Sequence, residues 1–151
     1  MKNNLLVKRT DKGFGESPLH APKKDGDVGY DLTVSEDTII MPAAMNGSGF
    51  ATSVPCAVKV KIPDGYFCQV LGRSSAANKR GILVHTAVID NGYTGQMFAC
   101  CWNMGKTAIT VKAGERLAQL VFFPMTVLEL QEVEELPETS RGESGFGSTG
   151  A

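Results

Sequence analysis

The sequence predicts an all-β fold, on three observations. Short apolar runs recur along most of the 151 residues, with turn-forming residues between them. Gly (17) and Pro (7) together exceed ordinary usage, which favours frequent chain reversals over long helices. Only residues 75–80 read as a helical turn. The runs at 5–7, 30–34, 38–41, 49–54, 57–62, 66–71, 82–84, 87–89, 96–102, 108–111, 117–123 and 126–133 supply about eleven strands. Pro42, Pro55, Pro63-Asp64-Gly65, Asp90-Asn91-Gly92 and Lys112-Ala113-Gly114 mark the turns. Residues 11–29 are polar and turn-rich. Many short strands with close turns suit a sandwich, a barrel or a jelly roll, and no internal repeat chooses among them.

The length allows one domain, and the 42% of apolar residues is enough for a packed interior. No apolar stretch approaches the ~18 residues of a membrane span. Residues 1–10 lack the apolar centre of a secretory signal, so an intracellular protein is expected, cytoplasmic or, in a eukaryotic or viral setting, nuclear. Lys plus Arg (15) nearly cancels Asp plus Glu (16), which argues against direct nucleic-acid or membrane binding. A small anion held by a few local cations remains compatible with that balance. Cys56, Cys68, Cys100 and Cys101 lack the spacing of a zinc site and read as buried, reduced thiols.

The chain divides into a β domain at 1–136 and a C-terminal arm at 137–151. Four glycines in the last ten residues leave little to bury, so the arm is expected to be mobile alone. It nevertheless carries Arg141 and Phe146 among Gly147, Ser148 and Thr149, a composition that suits a phosphate-cradling loop.

Four further segments carry candidate chemistry. In Gly72-Arg73-Ser74-Ser75 a strand ends, a short helix begins, and Ser74 or Ser75 can cap it beside an arginine suited to an oxyanion. In residues 86–95 an apolar run leads to Asp90, an Asn-Gly turn and Tyr93. This is a hairpin with a capping Asp, or a general base beside a ring platform. Asp31 stands at a strand start and Gln119 inside an apolar strand, where an inward amide needs a partner. Each segment taken singly has an ordinary structural explanation.

In series, from about Val28 to Gly150, these segments resemble the five motifs of the trimeric deoxyuridine triphosphatases. The tail from Arg141 to Gly150 is the most specific piece, joined by Gly-Arg-Ser-Ser at 72–75 and Val-Ile-Asp-x-x-Tyr-x-Gly at 88–95. The resemblance implies a distorted jelly-roll (β-clip) subunit with one short helix, a homotrimer with shared active sites, and hydrolysis of dUTP to dUMP and pyrophosphate with Mg²⁺. Asp90 would activate the attacking water. Arg73, Ser74, Ser75 and Gln119 would contact phosphates, and Asp31 would reach the metal through water. Tyr93 would pack under the deoxyribose, while Ala87, Val88, Ile89 and Phe98 would line the uracil pocket. Phe146 would stack on the base, Arg141 would reach the γ-phosphate, and Gly147, Ser148 and Thr149 would wrap it. Four positions depart from the common pattern: Ser75 and Ala87, where many members have Gly, and the pair Asn91-Gly92, where an acidic residue is frequent.

Two other readings compete. The dCTP deaminases, including bifunctional forms, share similar segments, but their carboxylate falls where this chain has Cys100. A nucleotide-sensing regulatory module on the same scaffold could retain the same binding residues.

Overall fold

The computed structural model describes residues 4–10, 17–45, 49–140 and 142. The described strands are β1 (Leu6–Arg9), β2 (Leu19–His20), β3 (Tyr30–Thr33), β4 (Thr38–Ile40), β5 (Thr52–Lys61), β6 (Tyr66–Gly72), β7 (Ile82–Val84), β8 (Ala87–Ile89), β9 (Gln96–Asn103), β10 (Ile109–Val111) and β11 (Arg116–Pro124). The one helix among the described residues, α1 (Ser74–Arg80), lies between β6 and β7. They form a four-stranded sheet in the order β1-β5-β9-β7, a five-stranded sheet in the order β2-β3-β11-β6-β8, and the small pair β10-β4. Every named pairing is antiparallel.

The two larger sheets share one core. Val54, Val58, Met97 and Ala99 from the first pack in the same cluster as Leu32, Val70 and Leu120 from the second. Period-2 patterning produces this. Along β9, Met97, Ala99, Cys101 and Asn103 turn inward while Phe98, Cys100 and Trp102 turn outward. Burying a side chain such as Leu120 contributes about 1.5–3 kcal/mol. The fully buried Asn103 costs little, because its amide donates to the carbonyls of Ile40 and Thr107 and its oxygen accepts from the Gly105 N–H.

The structure departs from the sequence expectation at several points. Pro55 does not end a strand; it lies within β5, beside a register shift against β9 between Pro55 and Lys59. A residue without an N–H is tolerated at such an irregularity, and its carbonyl accepts from the backbone N–H and hydroxyl of Ser35. The turn-rich stretch hides β2, which is only two residues long and pairs with β3. Residues 126–133 pair with no strand among the described residues, and Val127, Leu128 and Leu130 are at least 78% exposed. Their alternation has the signal of a strand, but a ladder needs a neighbour.

The helix starts one residue earlier than expected. Its N-cap is Arg73, with no side-chain cap, so Ser74 and Ser75 lie inside the first turn. Gly81 ends it in the left-handed region, with φ 63°. Burial pushes the Cys56, Cys68 and Cys101 thiols up to about 12, whereas Cys100 is only half-buried. No helix among the described residues is long and apolar enough to cross a membrane.

Candidate active site

The central strand β11 gathers three of the expected positions. Gln119 stands opposite Asp31 of β3 on one side and Leu71 of β6 on the other, and Ala118 faces Gly72. Asp31, Gln119 and the end of β6 therefore meet at one end of the sheet. Arg73, just beyond β6, directs its guanidinium to Asp31, with Nε 2.9 Å from Oδ1. Arg116 approaches the other oxygen at 3.5 Å. The pairs are partly exposed, so their main effect is to orient the guanidinia.

Arg116 reaches that face because β11 carries a bulge. Arg116 opposes Thr33 and Ala118 opposes Leu32, so an extra residue sits between them and the side-chain alternation resets. Leu117 and Ala118 are consequently buried in succession. Gly29 completes the arrangement: a Cβ there would sit 1.9 Å from Oε1 of Gln119. The amide of Gln119 donates to the Gly72 carbonyl at 3.4 Å. The result is an open cleft of about 610 Å³, lined by Asp31, Arg73, Ser74, Arg116 and Gln119 together with the 20–29 loop. Ser75 is not on its wall.

A second cleft, about 280 Å³, lies along the connection from β8 to β9, which is not the expected hairpin: β8 pairs with β6 and β9 with β5 and β7, so the turn crosses from one sheet to the other. Ala87, Val88, Ile89, Asp90, Tyr93 and Phe98 line it, with Cys100 further along β9. Asp90 is exposed at the end of β8, and its carboxylate forms no ion pair among the described residues. The Tyr93 N–H donates to the Asp90 carbonyl at 3.0 Å, closing the turn. The Tyr93 ring folds over Gly95, where a Cβ would lie 2.4 Å from the hydroxyl, and that hydroxyl donates to the Gln96 carbonyl at 2.7 Å. His85 packs edge-on against Trp102, with centroids 6.0 Å apart, and does not line this cleft.

Asn91 fixes the turn. Its amide nitrogen donates to the carbonyls of Ile62, Pro63 and Tyr66 at 3.3, 2.8 and 3.0 Å, and Nζ of Lys61 donates to its oxygen at 3.2 Å. Nothing in the Asn-Gly spacing signals these long-range bonds, because an Asn-Gly pair is equally at home in a solvated hairpin. Arg116 was likewise hidden, since strand alternation without the bulge turns it away from Gln119.

The two clefts share no lining residue. Arg141, Phe146, Gly147, Ser148 and Thr149 lie outside the described residues. A cationic cleft and an apolar, carboxylate-rimmed cleft on one β scaffold suit a ligand with one anionic end and one flat, apolar end.

The chain belongs to the dUTPase family, whose profile matches residues 15–150. It is 38% identical to a deoxyuridine 5'-triphosphate nucleotidohydrolase of Hahella chejuensis (strain KCTC 2396), over 99% of each chain. It is 37% identical to that of Pseudomonas fluorescens (strain SBW25), over 97% of each. Among solved structures, the Staphylococcus bacteriophage 80alpha dUTPase with dUPNHPP superposes with a TM-score of 0.85 at 27% identity, covering 99% of this chain and all of that one.

Proposed function

We propose that this protein hydrolyses dUTP to dUMP and pyrophosphate, as a homotrimer in which neighbouring copies each contribute one of the two clefts to every site. The separation of the clefts carries this reading: groups suited to a phosphate chain line one, and a free carboxylate suited to activating water rims the other. A symmetric assembly supplies both halves at one junction. The exposed Val127, Leu128 and Leu130 support burial of the 126–133 segment against another copy.

In the assembled site Asp90 orients and deprotonates the water that attacks the α-phosphorus. The bond from that phosphorus to the α,β-bridging oxygen breaks, and pyrophosphate leaves with the electron pair. Such a displacement needs positioning and charge neutralisation more than covalent catalysis. Arg73, Ser74 and Gln119 hold the phosphates, and Asp31 keeps Arg73 in place. Tyr93 packs against the deoxyribose and rejects a 2′-hydroxyl sterically. Ala87, Val88, Ile89 and Phe98 shape a slot too narrow for a 5-methyl group, with backbone groups of the segment from β8 to β9 reading the uracil edge. Residues 137–151 act as a lid: Phe146 stacks on the base, Arg141 reaches the γ-phosphate, and Gly147, Ser148 and Thr149 enclose it.

Mg²⁺ fits this donor set as an ion held by phosphate oxygens and water. Asp31 is engaged by two guanidinia, and among the described residues no group of three or more His, Cys, Asp or Glu could form a cage. Bound there, with Asp31 reached through water, the ion neutralises phosphate charge. A free nucleotide substrate suits an intracellular setting, cytoplasmic or nuclear.

The test is pyrophosphate release from dUTP, dCTP, dTTP and UTP, with and without Mg²⁺. We expect turnover of dUTP with Mg²⁺ and rates on the order of 10²-fold lower for the others. Comparable rates on UTP, or ammonia release from dCTP, would overturn the reading.

A further inference from the structure

The loop between β2 and β3 belongs to no recognised motif, yet it forms one side of the phosphate cleft. It is held at both ends. His20 stands opposite Asp31 in the β2–β3 ladder, and Gly29 abuts Gln119. In its middle the Asp27 N–H donates to the Lys24 carbonyl at 3.1 Å, around Gly26 at φ 89°. That is a tight turn requiring a left-handed residue at its third position. The turn presents Lys23 and Lys24 to the cleft that Arg73, Arg116 and Gln119 line.

The charges there are unequal in kind. Arg73 and Arg116 share Asp31, whereas neither Lys23 nor Lys24 has an ion-pair partner among the described residues. Lys23, Lys24, Arg73 and Arg116 stand against Asp27 and Asp31, a local net of +2 with His20 neutral, on a chain of net −1. The lysines are exposed while Arg73 and Gln119 are half-buried, so they occupy the outer rim. Flexible ammonium groups at a rim can follow a polyanion from several directions, beside any guanidinium that reaches it.

We propose that Lys23 and Lys24 form an outer cationic wall that binds the distal phosphates, the pyrophosphate that leaves. This rests on the dUTP reading above and adds a subsite for the product. The two lysines raise affinity for the triphosphate and for inorganic pyrophosphate without touching the nucleoside monophosphate end.

The test compares the full-length protein with the double variant Lys23→Ala/Lys24→Ala. The measurements are the KM and kcat for dUTP and the inhibition constants of inorganic pyrophosphate and dUMP. A second double variant, Lys8→Ala/Lys59→Ala, removes two exposed lysines that line a different cleft. We expect the pyrophosphate inhibition constant and the KM to rise about fivefold to tenfold in the first variant. The dUMP constant should not change, and Lys23→Arg/Lys24→Arg should restore most of the loss. An unchanged pyrophosphate constant, or an equal shift in the Lys8/Lys59 variant, overturns the proposal. If the unaltered protein fails to hydrolyse dUTP, the functional reading fails separately, and calorimetry with pyrophosphate alone still reads the lysine subsite.

Discussion

In the cationic cleft Asp31 ties Arg73 and Arg116 together, and Gln119 is wedged between Gly29 and the Gly72 carbonyl. In the cleft between β8 and β9 Asp90 has no comparable tie; the backbone behind it is fixed through Asn91, while its carboxylate faces solvent. One region is therefore preorganised at the level of side chains and the other at the level of backbone. The contrast suits their tasks. A polyanion is best met by cations already oriented, since their ordering is completed during folding. A carboxylate that must take a proton is better left without a guanidinium, which would hold it in its ionised form and weaken it as a base.

Breaking the β8–β9 side alone should have the largest effect. Asp90→Asn should lower kcat by roughly 10³-fold while retaining affinity for a nonhydrolysable dUTP analogue. Pyrophosphate release and calorimetry on one preparation check this; persistent turnover would remove Asp90 from its role. Next, deleting residues 141–151 should cut kcat on the order of 10²-fold and leave the sedimentation behaviour of the assembly unchanged. Near-normal turnover in the truncated protein would refute the lid. A third experiment separates the clefts directly. Asp90→Asn and Arg73→Ala subunits, each inactive alone, should regain about a quarter of the native rate when co-assembled in equal amounts, if every site draws one cleft from each of two copies. No recovery would mean that one chain supplies both. The smallest effect concerns the backbone brace. Asn91→Ala should destabilise the fold by about 2 kcal/mol in urea unfolding, because partly buried carbonyls lose their donor. The cationic cleft should keep its pyrophosphate affinity in that variant.

Much of the fold was legible because its strands carry period-2 burial, as β9 does, and because Gly81 and the Pro63-Asp64-Gly65 segment punctuate it in ordinary ways. What escaped was whatever depends on a distant partner. β2 is too short to show alternation, and Pro55 has the sequence signature of a break yet sits at a bulge. The 126–133 segment has the pattern of a strand but no neighbour among the described residues. The same divide runs through the site. Asp31, Arg73, Asp90 and Gln119 are legible as a series, because their order and spacing resemble the family's motifs where each alone has an ordinary structural explanation. Arg116 and Asn91 are not, because their roles arise from the bulge and from carbonyls about 25–30 positions away.

The bulge between Arg116 and Ala118 works by parity rather than by degree. Inserting one residue there would leave Gln119 and its neighbours along β11 where they are, yet swing the guanidinium to the opposite side of the sheet. No small adjustment of the backbone could compensate, since a pleated strand offers only two directions. This stretch should therefore accept exchanges of side-chain identity far more readily than an added residue.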